Sequence, residues 1–417
     1  MRRVLGLMLG IGFCLRLAVA VHDGLNSSPR PGSDSAEYDT YAWNLAQGNG
    51  YRGNSPDVSE PDHLTAYRMP GTSLLWAGLY RLAGHRYDVV RIVGCVLGSL
   101  TILLVFGIGR RAFSDRVGWL AAAGYTIWPT SLLYSSQLES EGLFTALLLG
   151  YILCTLRFAA EPSARRAIAA GVVLGLAMLT RANAVFMVVL AAIWACWQFR
   201  HQRRTLLLAL AIPTLAVVTL VPWTLRNYAT LHAFLPFGTG GGDVLLGSNN
   251  RVVATDPVYY GYWVFPTSDL PEYHDQLTGP DNEVVRDRVE KRLAVSWLLE
   301  HPGRWPYLLL SKVRRSLTPV LEPRSPLAYR LGMLFSWGPV LLLFAAAFVP
   351  TLVRFLKAEH PGWIVHLGIV QFELTALVFW GSSRFRYPVE GLCLMLAGVS
   401  AVWMWEKLRR PAARGLR

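Results

Sequence analysis

The sequence predicts an all-α polytopic membrane protein. Three observations carry this: 53% of its 417 residues are hydrophobic, only 16% are charged, and the apolar residues gather in runs near the 20 residues that a membrane-crossing helix needs. The formal charge of +13 does not signal nucleic acid, because the basic residues lie in short clusters between apolar runs rather than on one face or tail.

Ten spans can be placed, near 4–21, 88–109, 116–134, 141–158, 166–180, 183–199, 205–223, 331–353, 362–380 and 388–405. With Arg2 and Arg3 inside, the clusters Arg110-Arg111 with Arg116, Arg157 with Arg165-Arg166, Arg200 to Arg204, Arg354 with Lys357, and the tail from Lys407 all fall on that side. Every alternate loop is basic, which is the positive-inside bias. The first span ends Ala18-Val19-Ala20, which imitates a cleavage site, yet the many later spans favour an uncleaved first helix. The reading places the protein in the membrane many times over, in a bacterial inner membrane, with both termini cytoplasmic.

The opposite side receives a first loop, 22–87, and a larger one, 224–330. This divides the chain into an N-terminal module of residues 1–223, an external region of 224–330, and C-terminal helices with a basic tail over 331–417. Two apolar stretches, 71–83 and 305–317, are too short to cross comfortably and are expected to lie at the outer surface. Within the large loop, 281–300 shows an amphipathic helical pattern that ends at His301-Pro302-Gly303. The five cysteines all fall within spans, so no disulfide framework or Cys-based metal site is implied.

Several polar groups at the outer mouths can carry chemistry. Asp34, Glu37 and Asp39 follow the first span beside Tyr38, and a carboxylate there can take a proton from a hydroxyl; equally, Asp34 can be a solvated acid or the N-cap of a helix over 35–47. Arg68 precedes Pro70-Gly71 at the start of the short outer helix, where a guanidinium and helix amides together suit a phosphate, or the arginine reaches to lipid headgroups. Glu139 and Glu141 flank Ser140 at another mouth; they favour a helix dipole, and two such acids can also hold a divalent cation, although no Asp-x-Asp occurs. Arg181, Arg226, Arg384 and Arg386 sit at helix ends on the outer side, against the positive-inside bias, which makes an anionic lipid phosphate their natural ligand.

In order along the chain these pieces read Asp34-x-x-x-Tyr38, Gly48-x-Gly50-Tyr51, Arg68-x-Pro70-Gly71, Ser140-Glu141, Leu179-Thr180-Arg181, Pro222-Trp223-x-x-Arg226-Asn227, Gly247-Ser248-Asn249 and Arg384-x-Arg386-Tyr387-x-Pro388. The set resembles the membrane-embedded GT-C glycosyltransferases, in particular glycosyltransferase family 39 with the protein O-mannosyltransferases and the aminoarabinose transferases of lipid A. The resemblance implies a GT-C fold and an inverting transfer of a sugar from a polyprenyl-phosphate donor to a hydroxyl of a lipid, glycan or protein on the outer face. It implies Asp34 as base with Glu37 beside it, and Tyr38, Arg68, Glu141, Arg181, Arg226, Asn249, Arg384 and Arg386 as substrate-binding residues, Arg68 and Arg386 near the phosphate. It implies neither a cofactor nor a metal. Where protein O-mannosyltransferases carry an adjacent Asp-Glu pair, this chain has Asp34-Ser35, which points toward members acting on lipids or polysaccharides. The competing class is a transporter or flippase for a lipid-linked saccharide; it would place ionisable groups near mid-membrane, where Arg16 is the main example here.

Overall fold

The structure, a computed structural model, describes residues 2–53, 63–278, 282–319 and 326–409. Among these residues the only sheet is a pair of two-residue antiparallel strands, β1 (Arg52–Gly53) and β2 (His63–Leu64). All other regular structure is helical. The first half runs α1 (Arg2–His22), α2 (Asp34–Gln47), α3 (Gly71–Ala83), α4 (Tyr87–Ala112), α5 (Asp115–Thr126), α6 (Pro129–Ser135), α7 (Glu141–Ala160), α8 (Ala164–Thr180), α9 (Val185–Gln198), α10 (Arg203–Val218) and α11 (Val221–Leu231). Short helices α12 (Gly241–Ser248), α13 (Arg251–Thr255), α14 (Pro266–Asp269) and α15 (His274–Thr278) lead to α16 (Glu283–Glu300) and α17 (Trp305–Leu317). The chain finishes with α18 (Leu327–Lys357), α19 (Ile364–Val378) and α20 (Ser383–Arg409).

Among the described residues, seven helical segments are long and apolar enough to cross a membrane: Arg2–His22, Tyr87–Ala112, Glu141–Ala160, Arg203–Leu231, Arg330–Lys357, Pro361–Val378 and Ser383–Arg409. The other three expected spans, 116–134, 166–180 and 183–199, fall on shorter helices. The first is interrupted at Pro129, which has no N–H to continue the helical ladder, so it becomes α5 and α6. The second is α8, of 17 residues, and the third is α9 preceded by a single 3-10 turn.

The break between α5 and α6 explains Arg16. A helix end leaves carbonyls without intrahelical donors, and the Arg16 guanidinium donates to the Tyr125 and Thr126 carbonyls, both at 3.4 Å. It also donates to Ser131 Oγ at 2.6 Å and Ser135 Oγ at 3.1 Å. The one arginine that invited a transport reading is thus a buried clasp between α1 and the broken helix.

Both short apolar stretches form helices, α3 and α17, and 281–300 forms α16, but without the expected apolar face: α16 buries Arg286, Asp287 and Glu290 and exposes Val285, Val295 and Leu299. Asn282 caps α16, its side chain accepting from Val284 N at 2.9 Å and Val285 N at 3.0 Å. Helices α12 to α17 enclose an apolar cluster of their own, with Leu246, Val253, Val264, Leu277, Ala294 and Trp297 buried in it.

Close contact between α3 and α8 matters most for the site. At Gly71 a Cβ would lie 2.7 Å from Thr180 Oγ1 and 2.8 Å from the Leu179 carbonyl oxygen, so only glycine lets the start of α3 rest on the end of α8. That approach brings the segment carrying Arg68 to the residue that follows α8, Arg181.

Candidate active site

Helix α2 is capped by Ser33, whose Oγ accepts from Ala36 N at 3.3 Å. Asp34 is therefore the first helical residue rather than the cap, and its carboxylate is left for other partners. Arg68 donates from Nη2 to Asp34 Oδ1 at 2.8 Å and from Nε to Glu37 Oε2 at 2.7 Å. Glu37 stands one turn beyond Asp34, which is why one guanidinium reaches both. The rings of Tyr67 and Tyr38 lie 4.9 and 6.0 Å from the Arg68 guanidinium carbon.

Arg384, near the start of α20, completes the arrangement. Its Nη2 donates to Asp34 Oδ2 at 2.8 Å, its Nε donates to Glu141 Oε1 at 2.5 Å, and Nη2 also lies 3.2 Å from Glu139 Oε2. Arg181 donates to Glu141 Oε1 at 2.7 Å and to Ser140 Oγ at 2.9 Å, with its guanidinium over the Phe385 ring. A chain of alternating charge results: Glu37, Arg68, Asp34, Arg384, Glu141, Arg181. The Asp34, Arg68 and Arg384 side chains are 31%, 24% and 26% exposed, whereas Glu141 is 0% exposed. The Asp34 end is open to a ligand and the Glu141 end is a buried foundation.

Burial alone would raise the Asp34 carboxyl, but the guanidiniums of Arg68 and Arg384 outweigh it and hold the group well below the usual carboxylate range. Burial pushes Glu37 up, against the pull of Arg68. Glu139 is raised to about 7, by burial first and then by the negative charge of Glu141.

The structure brings together Asp34, Glu37, Tyr38, Arg68, Glu141, Arg181 and Arg384 of the residues singled out in the sequence. It does not bring in the other three. Arg386 lies elsewhere: two positions along a helix is about 200° around it, so Arg386 faces away from Arg384. It is fully buried, donating to Glu390 Oε1 at 2.8 Å and to the Ser316 carbonyl at 2.8 Å, and its guanidinium carbon lies 4.0 Å from the Trp337 ring centre. Asn249 also lies apart from Asp34: its Oδ1 accepts from Lys312 Nζ at 2.7 Å and its Nδ2 donates to the Leu245 and Val378 carbonyls. Arg226 donates to the Thr65 and Tyr51 carbonyls at 2.7 and 2.9 Å, so it fastens the segment that presents Arg68 without reaching Asp34.

Asp39 belongs to a separate cluster on another side of α2, where Tyr80 donates to it at 2.6 Å and His85 lies at 2.9 Å. Among the described residues no group of three or more His, Cys, Asp or Glu side chains is placed to hold a metal ion. Glu139 and Glu141 both lie against Arg384. Lys312, absent from the residues singled out in the sequence, is 1% exposed and donates to Asn249; it shares a face of α17 with Leu308, Ser311 and Arg315.

The family model for dolichyl-phosphate-mannose-protein mannosyltransferases matches residues 67–225, a segment that holds Arg68, Glu141 and Arg181. None of the curated proteins matches the chain. The archaeal oligosaccharyltransferase AglB from Archaeoglobus fulgidus, solved with an inhibitory peptide and a dolichol-phosphate, superposes with a TM-score of 0.61 at 17% identity, over 100% of this chain and 52% of that one. The apo form of the Archaeoglobus fulgidus oligosaccharyltransferase gives 0.60 at 16% identity, over 97% of this chain and 51% of that one. ArnT from Cupriavidus metallidurans, solved with undecaprenyl phosphate, gives 0.45 at 15% identity, over 95% of this chain and 77% of that one. The likeness to the archaeal oligosaccharyltransferases establishes a shared membrane-protein fold, and the mannosyltransferase family model covers one stretch of it, residues 67–225. The chain spans about half the length of the archaeal oligosaccharyltransferases that it matches.

Proposed function

We propose that the chain transfers a sugar from a polyprenyl-phosphate donor to a hydroxyl group of a lipid, glycan or protein acceptor at the outer face of the membrane, with inversion at the anomeric carbon. The observation that carries this reading is the ionised Asp34 held between Arg68 and Arg384 at the open end of the charge chain. AglB, whose fold is similar, was solved with a dolichol-phosphate, a lipid phosphate of this kind.

In this mechanism Arg68 and Arg384 exchange part of their contact with Asp34 for the donor phosphate. Losing one guanidinium raises the proton affinity of the carboxylate, so donor binding itself turns a weak base into a better one. The acceptor oxygen then forms its bond to the anomeric carbon as the bond to the phosphate oxygen breaks. The hydroxyl proton passes to Asp34 and the polyprenyl phosphate leaves with the electron pair. Most of the rate derives from alignment and from guanidiniums placed where negative charge grows on the leaving phosphate. Glu141 and Arg181 hold Arg384 in place from behind, and Tyr38 and Glu37 shape the wall beside the base.

The test is Asp34→Asn in membranes supplied with polyprenyl-phosphate-linked sugars. Loss of a general base lowers the rate by about 10²- to 10⁴-fold, while retention of the polyprenyl phosphate should persist because Arg68 and Arg384 remain. Transfer that survives this substitution would defeat the assignment of Asp34.

A further inference from the structure

At the end of the bundle away from Asp34 there is a cavity of about 830 Å³ whose wall is rich in arginine. Arg111 comes from the last turn of α4, Arg157 from the last turn of α7, and Arg165 and Arg166 from the first turn of α8. Helix α7 starts at Glu141, in the candidate active site, and ends beside this cavity at Ala160, 19 residues later. At 1.5 Å per residue that is a rise of about 29 Å, close to the thickness of a bilayer's hydrocarbon core. The two sites therefore sit at opposite membrane boundaries.

Arg166 is committed to Glu161. Among the described residues no carboxylate pairs with Arg111, Arg157 or Arg165, and the one hydrogen bond from these three guanidiniums is Arg111 Nη1 to its own-turn carbonyl of Gly107, at a long 3.4 Å. The positive-inside bias accounts for arginines on this side. It does not require four of them, from three helices, to line one concave volume whose one acid, Glu161, is paired with Arg166. The volume falls in the range of small-ligand sites. Guanidiniums and the first-turn amides of α8 suit a phosphate oxygen. Beside them, Ile168 and Val172 continue the stripe of Arg165 along α8 at the i+3 and i+7 positions, and both are exposed.

We propose that this cavity binds the phosphate headgroup of an anionic membrane lipid in the leaflet opposite the candidate active site, with the lipid chains lying along Ile168 and Val172. The apolar stripe is what selects a lipid over a free phosphate. The proposal does not rest on the transfer mechanism.

Native mass spectrometry of the purified full-length protein tests it, counting phosphatidylglycerol retained against phosphatidylcholine. An arginine near an anionic lipid headgroup is worth roughly fivefold in retention, so Arg157→Gln with Arg165→Gln should lower the phosphatidylglycerol preference roughly 25-fold. The matched control is Arg203→Gln with Arg204→Gln, two exposed arginines of the same side placed outside the cavity, and this pair should leave the preference intact. Equal loss in both pairs, or loss in neither, overturns the proposal. Inorganic phosphate should not displace the lipid; displacement by phosphate alone makes the occupant a soluble anion and overturns the lipid assignment. Since the four arginines are on helix ends and none is fully buried, misfolding is checked by Arg157→Lys with Arg165→Lys, which keeps the charge and should keep most of the preference.

Discussion

Asp34 and Glu139 are carboxylates that contact the same Arg384 nitrogen, yet they titrate far apart. Two guanidiniums hold Asp34 ionised at every physiological pH, whereas burial and Glu141 bring Glu139 to about 7. As pH rises through that value the site gains a negative charge where the proposed mechanism places the donor phosphate. Apparent donor affinity should therefore fall from about pH 6 to about pH 8, and Glu139→Gln should flatten that dependence without abolishing transfer; an unchanged profile in the variant would assign the titration elsewhere. Lys312 supplies a second titration, read in stability. Burial lowers it from 10.5 to about 7, so between these values the unfolded chain binds a proton that the folded chain does not. Stability should rise with pH across that window, and the rise should be lost in Lys312→Met when thermal midpoints of the purified protein are compared. These residue-level roles were only partly legible in the sequence. That Asp34, Arg68 and Arg181 share a mouth followed from topology, but the choice of Arg384 over Arg386 depends on which face of α20 turns inward. Ser33 took the cap expected of Asp34 because it lies one position earlier and its hydroxyl needs no charge partner.

Helices α5, α6 and α20 are fastened by a buried ionic group rather than by apolar packing alone. Glu390 accepts from Trp128 Nε1 at 2.7 Å and from Thr130 at the helix break, and pairs with Arg386 at 2.8 Å. Removing one partner of a buried pair leaves an uncompensated charge, at a cost of about 3 to 5 kcal/mol, while replacing both with apolar side chains of similar size costs far less. Glu390→Leu should accordingly lower the unfolding midpoint more than the double substitution Arg386→Met with Glu390→Leu. A double variant less stable than the single one would show that the hydrogen bonds from Arg386 to the Ser316 and Thr318 carbonyls, at 2.8 and 3.2 Å, hold this junction rather than the ion pair. Pro129 was visible in the sequence, yet the apolar run 116–134 read as one span, because composition averages over a break that backbone hydrogen bonding does not. Gly71 was visible too, as punctuation; that it lets α3 rest on α8 depends on a partner more than a hundred residues away.

At the scale of the whole molecule, charge and chain direction agree. Helices α4, α7 and α20 run from the Asp34 end toward Arg111, Arg157 and Lys407, and α8 returns from Arg165 to Arg181. The alternation of basic loops makes this organisation readable in the amino-acid sequence alone, because a membrane sorts charge by side and leaves the record there. Contacts such as Asp34 with Arg384, 350 residues apart, leave no such record, since nothing local distinguishes a paired arginine from a headgroup anchor. The orientation itself is open to direct measurement. If the basic end faces the cytoplasm, as the positive-inside bias favours, the Asp34 end and the helices α12 to α17 face outward. Ser268, exposed in α14, and Arg204, exposed at the start of α10, then lie on opposite sides. In a cysteine-free background, Ser268→Cys should react with a membrane-impermeant maleimide in intact cells, and Arg204→Cys only after the membrane is opened. The reverse pattern would put the arginine cavity outside and the candidate active site inside, and with it any donor would have to be presented from the cytoplasmic leaflet.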